Sequence, residues 1–155
     1  MRRYFDALAL SSAGLAAQAT INDAAGINRK TADAYERLLV NLMILDLVPP
    51  WLPSRLARLV KSPKRYVVDP SLMATALRVD GAAVLRDGDL LGRLLETMVV
   101  AQLRPELTLS PARPRLHHLR QADGRHAVDL LVEMGGDRLV ALEVKATAAP
   151  GPDDA

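Results

Sequence analysis

Four side chains carry the chemistry available to this sequence: Asp129, Glu143, Lys145 and Glu96. The first three lie in Ala127-Val128-Asp129-Leu130-Leu131-Val132-Glu133 and Leu139-Val140-Ala141-Leu142-Glu143-Val144-Lys145, which read as the two strands of a hairpin. Alternation along a strand puts Val128, Leu130 and Val132 on one face, and Val140, Leu142 and Val144 on one face of the next. If those apolar sets share a face, Asp129, Glu143 and Lys145 share the other. Loop parity decides whether they do. A two-residue turn at Gly135-Gly136 separates the apolar sets, whereas an odd loop such as Gly135-Gly136-Asp137 keeps them together. The odd loop opposes Asp129 and Glu143 directly, with Cβ atoms about 5 Å apart. Carboxylates that close repel, and a divalent cation relieves the repulsion. Oxygen donors favour Mg²⁺ or Mn²⁺ over zinc, so Asp129 and Glu143 are the expected metal ligands. Lys145 lies about 7 Å further along the same face, placed to orient or help deprotonate a metal-bound water or to steady developing phosphorane charge. The plain alternative is a solvent-facing ion pair between Glu143 and Lys145.

Glu96 lies in the helical stretch Leu90 to Leu103, where helical geometry groups it with Gly92, Val99, Val100 and Leu103. It therefore leaves an apolar surface rather than a charged one, and is expected to complete the site from behind. Its plain alternative is a pair with Arg93. His117, His118 and His126 add little; His126, three residues before Asp129, reads as a surface residue. No Gly-x-x-x-x-Gly-Lys-Ser/Thr or Gly-x-Ser-x-Gly pattern occurs, which excludes ATP binding by a Walker loop and gives no sign of a nucleophile elbow.

The elements that must position these residues fit a small globular chain. Its 155 residues are 50% apolar, 25% charged and only 3% aromatic, so packing rests on aliphatic side chains. There is no cysteine, which excludes a disulfide framework and a cysteine zinc site. With no apolar run long enough to span a bilayer and no secretory leader at the N-terminus, a cytoplasmic location and no membrane contact are expected. The net charge is +2, but Arg55 to Arg65 holds five basic residues and no acid, and Arg113 to Arg120 holds three arginines and two histidines. Such stretches can meet phosphates, although each by itself reads as solvated surface.

Residues 2–16 read as a helix fading near Gly14, and a short helix stops at Gly26, where a positive φ suits glycine. Asn28 then caps a helix running to about Leu45. This is a helix-turn-helix pattern, in which Asn28, Arg29, Lys30 and Thr31 are the expected nucleic-acid contacts; a plain α-hairpin is the alternative. Pro49-Pro50 ends the helical run. Strands at 56–60 and 65–69 make a wing, and Asp69-Pro70 opens a helix to about Leu77. Residues 80–89 read as a loop, a helix spans Leu90 to about Leu103, and short strands are expected at Leu107–Leu109 and Leu116–Leu119. The organisation expected is a winged-helix-like segment at 1–70, a nuclease-like core at 71–147 and a disordered tail at 148–155: an α+β protein.

The sequence resembles the C-terminal region of AAA+-type ATPases that carry the DUF4143 domain, within the PD-(D/E)XK (restriction-endonuclease-like) group. The stretches that carry the resemblance are Ala24-Ala25-Gly26-Ile27 with Thr31, Val48-Pro49-Pro50-Trp51 and Val60 through Asp69. They continue with Leu94–Val100 including Glu96, Val128-Asp129-Leu130, and Leu142-Glu143-Val144-Lys145-Ala146. The resemblance implies a winged-helix segment ahead of a truncated nuclease-like core, with Asp129, Glu143 and Lys145 at its signature positions and Glu96 on the supporting helix. Three departures accompany it: no ATPase portion, Ala127 where the family carries glutamate, and an end soon after Lys145 that leaves the last strand uncovered. The functional expectation is Mg²⁺-dependent phosphodiester hydrolysis or DNA association, with DNA, a separate ATPase chain or a second copy as partners. The alternative is a non-enzymatic DNA- or protein-binding regulatory module, or an inactive remnant of a larger ATPase.

Overall fold

A computed structural model describes residues 1–51, 62–120, 127–135 and 138–147. The chain runs α1 (Arg2–Leu10), α2 (Gln18–Ala25), α3 (Arg29–Asn41), β1 (Leu45–Val48), β2 (Lys64–Val67), α4 (Pro70–Leu77), α5 (Gly81–Arg86), α6 (Gly88–Leu109), β3 (Arg115–Arg120), β4 (Ala127–Glu133) and β5 (Leu139–Leu142). Helices with two small antiparallel sheets, β1-β2 and β3-β4-β5, make this an α+β protein. Among the described residues no helix is long and apolar enough to cross a membrane.

The first helix stops at Leu10, short of the expected 2–16, with Ala13 at φ 60°, while the turn between the next two closes as the local sequence dictates. Gly26 ends α2 with φ 67°, and the Asn28 side chain accepts a 2.9 Å hydrogen bond from the Thr31 amide to start α3. Tyr4 and Leu8 of α1, Ile21 and Ala25 of α2, and Ala32 and Leu39 of α3 fall at helical spacing and bury together. Leu45 joins them from β1. That strand departs from the expected helix to Leu45. The helix stops at Asn41, Met43 takes φ 54°, and Leu45 to Val48 turn extended to pair antiparallel with Val67 to Lys64. Leu45 and Val48 are both buried, in different clusters, and a strand can serve two cores at once where a continuing helix cannot.

β2 is buried along its whole length although its sequence is Lys-Arg-Tyr-Val. Alternation separates its side chains. Arg65 turns to the helical unit, donating to Glu36 at 2.6 Å and to the Gln18 side-chain oxygen, while Lys64 and Tyr66 turn to α6. Tyr66 belongs to a second cluster with Val48, Val100, Leu116, Leu130 and Val132, and Val67 to a third with Ala9 and Met73.

Two further segments differ from expectation. Two of the three aspartates of residues 80–89 are helix caps: Asp80 accepts from Ala83 N to start α5, and Asp87 accepts from Leu90 N to start α6. The strand expected at Leu107–Leu109 is helix, since α6 continues through Pro105. Leu103 and Leu107 both pack on the second cluster, and Arg104 binds Asp46 and the Leu47 carbonyl of β1, so tertiary contacts outweigh the amide that proline lacks. The strand expected at 56–60 lies outside the described residues, as does the tail at 148–155.

The second sheet has the expected hairpin. β4 pairs with β5 as Leu130↔Leu142, Leu131↔Ala141, Val132↔Val140 and Glu133↔Leu139, the register of the odd loop. β3 pairs with β4 through an irregularity between His117 and Leu119, and His118 bridges to Pro50, tying the two sheets together.

A Cβ built on Gly26 meets no atom within 4 Å, so Gly26→Ala tests backbone strain alone. The expected loss is about 1 kcal/mol of unfolding free energy by urea denaturation. A stabilised variant would show that the left-handed turn is not held in solution.

Candidate functional site

The register of β4 and β5 is what builds the site. Glu143 follows the last paired residue of β5 and continues the same register, which sets it beside Asp129. The Asp129 amide donates to Glu143 Oε2 at 3.4 Å, and the Val144 amide donates to Asp129 Oδ2 at 3.1 Å. Lys145 Nζ lies 3.1 Å from Glu143 Oε1, so the two form the expected ion pair, with each side chain about one third exposed. Strand β5 ends at Leu142 rather than Lys145, because Val144 spends its amide on the Asp129 side chain.

α6 brings Glu96 to the same place. Gly92, one helical turn before it, faces the chain after β5, and a Cβ there would make ordinary contact with Ala146 at 4.0 Å. Glu96 does not pair with Arg93, which instead binds Asp89 at 3.0 Å and donates to the Leu10 carbonyl at 2.7 Å. Two donors from β2 converge on Glu96 Oε1, Lys64 Nζ at 2.5 Å and the Tyr66 hydroxyl at 2.5 Å. Lys64 also reaches Asp129 Oδ1 at 3.5 Å. A cleft of about 540 Å³ is lined by Lys64, Glu96, Asp129, Glu143 and Lys145. All four residues expected of the site therefore meet there.

Lys64 and Tyr66 are the residues that sequence reasoning missed. Lys64 counted only as one of a basic run, and Tyr66 as a strand residue. The available signal was Lys64-Arg65-Tyr66-Val67 itself: a strand between Pro63 and Asp69 whose alternate positions pair lysine with tyrosine.

Burial dominates the electrostatics. Loss of water pushes the Glu96 carboxyl above the usual carboxylate range, opposed by the Lys64 ammonium and by the Lys64 and Tyr66 hydrogen bonds. The Tyr66 hydroxyl is raised far above an ordinary phenol, first by burial and then by the Glu96 charge, so it remains a donor. His118 is buried rather than on the surface, and is lowered to about 4 by burial and then by the Lys64 charge. His117 is likewise buried, with Nε2 3.3 Å from Glu133 Oε2, and His126 lies outside the described residues.

The donor set offered to a cation consists of hard carboxylate oxygens, which suit Mg²⁺ or Mn²⁺ completed by water. Among the described residues no group of three or more histidine, cysteine, aspartate or glutamate side chains gathers as a metal cluster. Asn28, Arg29 and Lys30 are exposed at the start of α3, Thr31 is half-buried, and none of them lines the cleft. Arg29, 87% exposed, lies 3.8 Å from Asp33.

An α+β chain thus builds one charged cleft from two stretches of sequence, and those stretches match two families. Residues 1–83 match a domain of unknown function, DUF8612, and residues 91–155 match another, DUF4143. The first match covers more than half of the chain, and the protein belongs to the DUF8612 family. The resemblance to DUF4143 holds for the part that carries Glu96, Asp129, Glu143 and Lys145, whereas the stretches from Ala24 to Asp69 fall in the DUF8612 match. Two uncharacterized proteins, from Mycobacterium bovis and Mycobacterium tuberculosis, are each 30% identical over 151 residues, covering 97% of this chain and 33% of theirs. The chain therefore spans about a third of the length of these curated relatives. No solved structure matches.

The His118 shift has a direct consequence for stability. Its folded value lies below its unfolded value of 6.5, so the unfolded chain binds the extra proton first as pH falls. Stability is expected to drop between pH 6.5 and about 4, and less steeply in His118→Gln. Urea denaturation at pH 7, 6, 5 and 4 measures both slopes; parallel curves would remove His118 as the cause.

Proposed function

We propose that the cleft is a cation-assisted phosphodiester site on a restriction-endonuclease-like core, served by a winged-helix-like unit made of α1 to α3 and the β1-β2 ribbon. The observation that carries this reading is the juxtaposition of Asp129 and Glu143 by the β4-β5 register, with Lys145 bonded to Glu143 and Glu96 entering from α6. Asp129 and Glu143 would hold Mg²⁺ or Mn²⁺, which when bound supplies Lewis-acid charge and lowers the pKa of water. Lys145 Nζ orients the attacking water from beside Glu143 and faces the charge that builds on the phosphoryl oxygens. The Val144 amide holds the Asp129 carboxylate, and Lys145 holds that of Glu143.

The test is nicking of supercoiled plasmid DNA by purified protein in Mg²⁺. Asp129→Asn and Lys145→Ala are each expected to lower the rate on the order of 100-fold, and a chelator to abolish it. Equal rates in the wild type and both variants would place the cleavage elsewhere.

A second reading, non-enzymatic nucleic-acid binding, is favoured by the exposure of Arg29 and Lys30 on the first turn of α3. Charge contacts of this kind neutralise phosphates and weaken with salt. A gel shift of duplex DNA is expected to weaken with rising KCl and to be reduced about 10-fold in Arg29→Ala/Lys30→Ala. A salt-insensitive shift, or one untouched by the double substitution, would count against α3 as the docking helix.

A further inference from the structure

A lysine buried against two carboxylates fills the place a cation would take. Lys64 comes from β2, in the DUF8612 stretch, while the acids it meets come from the DUF4143 stretch. Its side chain is 7% exposed, with Nζ 2.5 Å from Glu96 Oε1, 3.5 Å from Asp129 Oδ1 and 5.8 Å from the centre of the Tyr66 ring. These contacts engage two of the four carboxylates that line the cleft; of the others, Asp89 is paired with Arg93 and Glu143 with Lys145. Glu96 Oε1 accepts from both Lys64 and Tyr66, which directs that carboxylate toward β2, and Asp129 is left with part of its charge neutralised.

We propose that Lys64 is the resident cation of the cleft, a positioning residue that withholds Glu96 from any metal ion and so weakens divalent-cation binding at Asp129 and Glu143. The proposal rests on the reading of those two acids as the cation ligands. Affinity for hard cations rises with the number of carboxylates that face the ion, and an ammonium beside the same oxygens repels it. With Lys64 in place the cleft offers Asp129 and Glu143. Without it, Glu96 swings free as a third oxygen donor. The affinity of the cleft is thereby set by a strand of the unit that contributes none of its acids, and any partner that shifts β2 changes what the cleft can hold.

Lys64→Met keeps the length of the side chain and removes the charge. In metal-free buffer the variant is expected to melt on the order of 10 °C lower, because Glu96 loses its buried partner. In isothermal titration it is expected to bind Mn²⁺ at least about 10-fold more tightly than the wild type, with Mn²⁺ restoring much of the lost melting temperature. Should Lys64→Met fail to fold, Lys64→Met/Glu96→Gln leaves no unpaired buried charge and is compared with Glu96→Gln alone; tighter Mn²⁺ binding in the double variant is expected through Asp129. Equal Mn²⁺ affinity with and without Lys64 overturns the proposal. Adding Asp129→Asn to the tight-binding variant separates the two ideas. If Mn²⁺ binding is lost there but never depended on Lys64, only the role of Lys64 falls. If binding survives Asp129→Asn unchanged, or no variant binds Mn²⁺, the assignment of the cation ligands falls with it.

Discussion

Two consecutive cations, Lys64 and Arg65, are buried in a strand of four residues, and the rest of the structure is arranged around satisfying them. Desolvating a charge costs several kcal/mol unless a partner of opposite sign and good geometry is supplied. Because adjacent strand residues point to opposite faces, the partners must come from opposite sides. Glu36 and Gln18 meet Arg65 from the helical unit; Glu96 and Asp129 meet Lys64 from α6 and β4. β2 is therefore the member that locks the first half of the chain to the second. Tyr66 and Val67 repeat the same division with apolar surface, one in the cluster under the β3-β4-β5 sheet and the other in the cluster between α1 and α4.

The electrostatics of the cleft follow from that arrangement. Glu96 is an acid on an apolar helix face, and burial makes its ionised form costly; the Lys64 ammonium and the Tyr66 hydroxyl offset part of this cost. Asp129 is held by partners on both oxygens, one from Lys64 and one from the Val144 amide, whereas Glu143 and Lys145 sit nearer to solvent and are held mainly by each other. The cleft thus has a more enclosed inner part, at Lys64 and Glu96, and a more exposed rim, at Glu143 and Lys145.

The two family matches meet between residues 83 and 91, yet the cleft draws on both sides of that junction. Neither stretch carries a complete site: one holds the buried lysine and tyrosine, the other the carboxylates. The apolar clusters are shared in the same way, since Val48 and Tyr66 pack with Val100, Leu116 and Leu130. The packing of the two stretches is consequently coupled through the same few side chains.

Local chemistry was legible in the sequence wherever a short-range rule has a single solution. Gly26 and Asn28 specify a turn and a cap within four residues of one another. The alternation of Val128 to Val132 and Val140 to Val144, with an odd loop between, fixes which residues face each other, and so placed Asp129 beside Glu143. What the sequence could not reveal was decided by contacts between residues distant along the chain. Leu45 to Val48 form a strand because β2 is there to pair with them, and α6 passes through Pro105 because Asp46 and the second cluster hold its last turns. Lys64 meets the cleft carboxylates for the same reason: its partners Glu96 and Asp129 lie 32 and 65 residues away, and only the packed core brings them within reach. Periodicity and capping are properties of neighbours, so the sequence by itself narrowed the carboxylate pair to a choice of loop register; the register adopted and the cation that faces the pair are properties of the tertiary fold.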